Sequence, residues 1–361
     1  MSTTARKSWI DLVRAIGIFA IVYGHMVQGD SVVSRFFGSF RVAIFFAVMG
    51  LTFRYRRGIV GFLKKKALRL LVPYFAFALV SILIMAVIGR VYPAAVQGQP
   101  TSILKNLGGA LYGNGLKGNM KWNLPLWFLP CSFVTLLIVY LAESLIARAR
   151  AERRDALRLV FFAVTVAAAV AYVAFLKRQR LPFGAEVAIP MSGFVELGIL
   201  LKKTEGLLSR RAAGAVGLVL LLAGFFLSLR NGDVSVVSLN FGGSIALYYV
   251  TALVCIVGTM LLSQAVCASA TLGPVRRNFV FCGAHTLAIL CMHKFPVLLF
   301  QLVVPYTKQL LRAPADSLLK NLVGFVLTFV VIALCLIVEK PIARSCPVVL
   351  GQSRVRAEAR Q

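Results

Sequence analysis

The chain has 361 residues, 59% of them hydrophobic and 14% charged, with 40 Lys and Arg against 12 Asp and Glu, for a formal net charge of +28. Soluble domains carry about a quarter charged residues, so this composition excludes a soluble globular protein and points to an integral membrane protein. The basic residues fall in short clusters between apolar stretches, which excludes a nucleic-acid-binding role and fits the pattern of topology signals.

Windows of about twenty apolar residues predict an all-α polytopic membrane protein with about ten transmembrane helices. They lie near residues 9–28, 36–54, 68–89, 125–146, 158–176, 187–201, 212–229, 243–263, 280–303 and 319–339. With the N-terminus inside, about 25 Lys and Arg fall in inner segments against about 12 in outer ones. Both termini are therefore expected in the cytoplasm. Arg6 and Lys7 precede the first apolar run as in a signal peptide, but Asp11 and Arg14 interrupt it and no Ala-x-Ala site follows. The segment is expected to stay attached as the first membrane helix. No repeat or soluble domain is visible, so the organisation reads as one transmembrane domain, 1–345, and a basic cytoplasmic tail, 346–361. The seven cysteines show no Cys-x-x-Cys spacing and read as small core residues rather than a zinc site or disulfide framework.

In the first segment Asp11, Arg14 and His25 stand among apolar residues, where an ionisable group costs about 2.5 kcal/mol or more and marks a functional candidate. Asp11 and Arg14 are an i, i+3 pair. Eleven positions separate Arg14 from His25, about three turns, so the two share one helix face about 16 Å apart. Arg41 lies in the outer half of the second segment, open to two readings: binding an anionic or developing negative group, or snorkelling to the interface. The connection at 90–124 is rich in Gly and Asn and is equally a cover over an outer cleft or a linker. Glu196 lies inside a predicted span and needs a partner; Arg41 and Arg14 are the expected ones, with a second acid or base as the other reading. His285 and His293 are eight apart in the ninth span, and without a third ligand no metal site is expected.

The run Trp9-Ile10-Asp11-Leu12-Val13-Arg14, followed by His25, resembles the first helix of the membrane-bound acyltransferase-3 family, closest to its fucose-4-O-acetylase-like, exopolysaccharide O-acetylating branch. In the second span Ser39, Phe40, Phe45, Phe46 and Gly50 fit the family pattern. Arg41, Ala43 and Met49 replace its usual His, Pro and Ser. Lys66-Ala67-Leu68-Arg69-Leu70-Leu71-Val72-Pro73-Tyr74 is similar to the start of the family's third helix, and Trp127-Phe128-Leu129-Pro130 matches its Trp-Phe-Leu-Pro. Asn240 and the group from Gly283 to His293 also resemble family features, with Thr286 at a usual Ser.

The resemblance implies an O-acyltransferase of a bacterial inner membrane. It would carry an acyl group, usually acetyl, from cytoplasmic acetyl-CoA to a sugar hydroxyl of an exopolysaccharide or lipid-linked glycan, with the saccharide acceptor and the lipid bilayer as its partners. His25 is then the proton acceptor, with Arg14, held by Asp11, engaging the acyl donor. Lys66 and Arg69 would meet the coenzyme phosphates, although plain topology explains them equally well. Arg41, Trp127, Glu196, Asn240 and His293 would line the acceptor route. Alternatives of other classes are a transporter or flippase of a lipid-linked saccharide and a non-catalytic acetylase partner.

Overall fold

A computed structural model describes residues 7–27, 29–91, 93, 102–116, 120–176, 179–269, 273–303, 313–314 and 316–352. These residues form an all-α protein in which nine helical segments are long and apolar enough to cross a membrane. In chain order the helices are α1 (Ser8–Met26), α2 (Val32–Phe40) and α3 (Ala43–Leu51), α4 (Ile59–Val91), a short α5 (Ile103–Tyr112) and α6 (Phe128–Ile146). They continue with α7 (Arg154–Ala171), α8 (Ala185–Leu201), α9 (Arg210–Asn231) and α10 (Ile245–Cys267), then the short α11 (Gly273–Ala284), α12 (Thr286–Met292) and α13 (Lys294–Val303), and end with α14 (Leu318–Ser345). Serine caps begin many of them: Ser31, Ser102, Ser209, Ser244 and Ser317 each accept a hydrogen bond from the backbone amide three residues on, satisfying a donor that has no partner inside the helix.

Helix α1 is the axis of the molecule: 78% of its apolar window is buried, against 11% for the α7 segment and 22% for α9. The outer helices turn Leu, Val and Phe outward, as a lipid-facing surface requires. Between helices in lipid the attraction is close packing, and small residues permit it. A Cβ on Gly50 of α3 would stand 1.9 Å from the Val195 carbonyl oxygen of α8, and one on Gly198 would stand 2.0 Å from the Ala47 oxygen. Backbone therefore meets backbone where α3 crosses α8. Helix α11 meets α1 in the same way, Gly283 lying against the Asp11 carbonyl.

Three interruptions shape the centre. The second crossing is split at Arg41 and Val42, between α2 and α3. The expected ninth span, 280–303, is not one helix but three short ones, broken at His285 and His293. It runs beside α1, from Gly283 at Asp11 to His293 at His25. A hydropathy window averages over such breaks. The third interruption is the 3₁₀ segment Lys121–Trp127, where Asn123 leaves the helical region (φ −157°, ψ 74°). Broken backbone at membrane depth is tolerated only where protein covers it or where it lines a cavity; the break at Arg41 and Val42 and the 3₁₀ segment line one, and Leu290 of the short α12 joins them.

The described part of the 90–124 connection is built structure. Helix α5 ends on Gly113 in the left-handed conformation (φ 68°), Tyr74 donates to the Ala110 carbonyl at 2.6 Å, and Asn114 donates to Glu186 at 2.7 Å. Residues 94–101 and 117–119 lie outside the described residues. Of the tail, Pro347–Leu350 forms one 3₁₀ turn and Gly351 packs on the Arg69 backbone; 353–361 lie outside the described residues.

Candidate active site

At the N-terminal end of α1, Arg14 Nη1 donates to Asp11 Oδ1 at 2.8 Å, with the Asp11 side chain buried. The expected i, i+3 pair is therefore formed. Eleven residues on, about 16 Å along the axis, His25 opens into a small, partly open cavity whose wall includes Arg41, Trp127, Phe128, Leu290 and residues 234–237. The polar stripe of α1 thus has an ion pair at one end and an imidazole facing open space at the other.

Arg41 reaches this cavity because it caps α2 at the break, and because its guanidinium lies directly over Gly24: a Cβ there would stand 1.6 Å from Nη1. The glycine beside His25 is what lets a cation cross α1 at that level. On the other side, the His293 ring lies 5.2 Å from the His25 ring, tilted by 38°. His293 is fully buried, and its Nδ1 lies 2.9 Å from the Ile289 carbonyl oxygen. A carbonyl only accepts, so Nδ1 carries the hydrogen and Nε2 presents a lone pair. That Nε2 has no hydrogen-bond partner. Lys294 and Arg41 are close enough for their charges to be felt at His25 through a low-dielectric interior.

The site therefore combines an imidazole open to a cavity, a second imidazole with a directed, unused acceptor, a guanidinium and an indole face. Such groups can take a proton from a hydroxyl and orient a polar substrate. The acyltransferase-3 family model, described as an acyltransferase domain, matches residues 7–340, nearly the whole chain. The chain belongs to the acyltransferase-3 family. Neither a curated protein nor a solved structure matches it.

Other residues singled out in this acyltransferase lie away from the cavity. Glu196 is fully buried, but its neighbour is Arg158, with Nε at 3.6 Å from Oε2, and not Arg14 or Arg41 as expected. The reason is helix adjacency: α8 packs on α6 and α7, which carry Glu143 and Arg158. Arg158 makes a two-pronged contact with Glu143 at 2.7 and 2.9 Å and a third bond to Asp155 at 2.9 Å; Lys203 closes the cluster on Asp155 at 2.5 Å. Asn240 is exposed and works on its own loop. It accepts from Gly242 N at 3.1 Å, and its backbone pairs with Ser235 at 2.8 and 3.0 Å, which shapes the strip 234–237 that walls the cavity. Lys66 sits over the Phe62 ring at 5.5 Å, near the start of α4, one turn before Arg69. His285 pairs with Glu339 of α14 at 2.7 Å, so it and His293 face different surroundings.

Sequence reasoning passed over Asn123. Fully buried, it donates to Ser81 Oγ at 3.1 Å and to the Cys291 carbonyl at 2.9 Å, tying the 3₁₀ segment to α4 and to the end of α12 that carries His293. Its only signal in the sequence is an amide in an apolar run two residues before Pro125.

Proposed function

We propose that this acyltransferase moves an acyl group, acetyl in the simplest case, from acyl-coenzyme A to a hydroxyl of a sugar in an exopolysaccharide or lipid-linked glycan, within a bacterial cytoplasmic membrane. The observation that supports it is the α1 stripe, with His25 at a cavity and the Asp11–Arg14 pair three turns away. In this reading the basic ends of the helices, Lys66 and Arg69 among them, and both termini face the cytoplasm. The coenzyme phosphates rest there and the thioester reaches up along α1 past Arg14.

His25 takes the proton of the acceptor hydroxyl as its oxygen attacks the thioester carbonyl carbon. Collapse of the tetrahedral intermediate breaks the carbon–sulfur bond, and the coenzyme thiolate leaves with the proton returned from the imidazolium. The buried His293 ring, 5.2 Å from that of His25, orients the base from behind, and the Trp127 indole offers the flat apolar face on which sugar C–H groups stack.

The test is acetyl-CoA consumption by membranes holding the full chain. Consumption is expected only when a polysaccharide acceptor is present, and is expected to be lost in His25→Ala inserted at wild-type levels. Normal transfer by that variant removes His25 as the proton acceptor. Consumption of no acyl-CoA with any glycan removes the reading as a whole.

A further inference from the structure

The cation beside His25 has no ion-pair partner among the described residues. Arg14 pairs with Asp11, Arg35 with Asp30 and Arg158 with Glu143 and Asp155, while Arg154 and Arg276 donate to backbone carbonyls. Arg41 forms no hydrogen bond or ion pair with any described residue. Asp233 is felt at Arg41 as a charge without an ion pair forming; it is exposed on the loop before the cavity wall. Apart from Arg41, the lining side chains that can hydrogen-bond are His25, Ser235 and the Trp127 indole, none of them acidic.

An unpaired guanidinium in such surroundings is costly, and here it is built in: the break after α2 aims it and Gly24 makes room for it. Plain snorkelling would carry the head group to water at the helix end; instead it lies across the backbone of α1. The donor phosphates are not its partner if they rest at the basic end, about 16 Å away along α1, and a thioester is neutral. A developing oxyanion exists only fleetingly and leaves the charge uncompensated for the rest of the cycle. What remains is the acceptor.

We infer that the acceptor glycan is anionic and binds with a carboxylate or phosphate on Arg41 while presenting a neighbouring hydroxyl to His25. This rests on the acyl-transfer reading above. The guanidinium fork matches both groups in two-pronged geometry, so the acid fixes which hydroxyl meets the base.

The experiment uses membranes containing the full-length protein, labelled acetyl-CoA, and the surface polysaccharide of the source cells in three forms: native, carboxyl-reduced with carbodiimide and borohydride, and dephosphorylated with hydrofluoric acid. Transfer to the native glycan is expected to exceed transfer to one treated form by about tenfold to hundredfold in kcat/KM, carried mainly by KM. The form that loses identifies carboxylate or phosphate. In Arg41→Gln the ratio should fall toward one, and in Arg41→Lys it should be partly held. Gly24→Ala keeps the arginine but displaces its head group, and should lower the ratio even where Arg41→Gln fails to insert. Equal transfer to all three glycans, with Arg41→Gln lowering kcat alike on each, overturns the anionic acceptor and leaves acyl transfer standing. Transfer to none overturns the underlying reading.

Discussion

Two groups of ionisable residues in this acyltransferase are built on opposite plans. In the cluster that runs from the buried Glu143 and Glu196 through Arg158 to Asp155 and the exposed Lys203, one guanidinium is held by two carboxylates and approached by a third. Around His25 the imidazole and the Arg41 head group line a cavity, and neither they nor the buried His293 Nε2 have a hydrogen-bond partner among the described residues. Paired charges in an interior tie elements together, as Arg158 does with Glu143, even though the Glu196 oxygens accept no hydrogen bond and feel Arg158 only at 3.6 Å. Unpaired ones carry a standing penalty, which folds retain at the places where a ligand removes it.

The comparison is broken most severely at His25. Replacing it with Ala is expected to cut transfer per folded molecule by about a hundredfold or more, with the thermal melting point in detergent near that of the wild type. Arg158→Met should do the reverse. It strands Glu143 and Glu196 as buried acids without their cation, at about 3–5 kcal/mol, so the melting point and the yield of inserted protein fall while the folded remainder keeps its turnover. If Arg158→Met melts normally but loses turnover, the two plans are not distinct.

A somewhat smaller loss is expected where α3 and α8 touch. Gly198→Ala pushes a methyl into the Ala47 carbonyl, which has no side-chain freedom to yield, and should lower stability by about 3 kcal/mol, read by chemical denaturation in detergent. Gly24→Ala introduces an even closer contact, but against the far end of a flexible side chain. Its stability should stay within about 1 kcal/mol of wild type while the acceptor preference drops. The smallest effect belongs to the exposed pair of Asp30, between the first two crossings, and Arg35, in the first turn of α2. Hydrogen bonds from Arg35 hold the Asp30 carboxyl below the usual carboxylate range. A carboxyl with a lower pKa folded than unfolded adds stability above its unfolded value, about 3.9, and loses it as pH falls through the folded value. The slight deficit of Asp30→Asn at pH 7 should therefore vanish in acid, measured as a difference in melting point.

Which features could be read from the chain depended on how local they are. The pairing of Asp11 with Arg14 and their alignment with His25 follow from helix periodicity alone. Arg41 was recognisable as an ionisable residue in an apolar run, and its two readings stayed open because they differ only in what lies opposite. Glu196 was assigned the wrong partners because an acid in a span announces that it needs a cation without saying which helix supplies it. The ninth span looks continuous in the sequence because hydropathy is an average, and the breaks at His285 and His293 are backbone events. Asn123 carried almost no local signal, since its work is done across α4 and α12.

Composition and apolar periodicity were enough to determine a helical membrane protein, its approximate crossings and the polar stripe of α1, because the bilayer forces every span to satisfy its own backbone and every charge in it to stand out. Only the tertiary structure decided that the stripe ends in a cavity, that His293 and Arg41 meet it there, and that Glu196 does not. Those outcomes depend on where broken helices come together and which glycines let them touch, and contacts between residues hundreds of positions apart leave no periodicity to read.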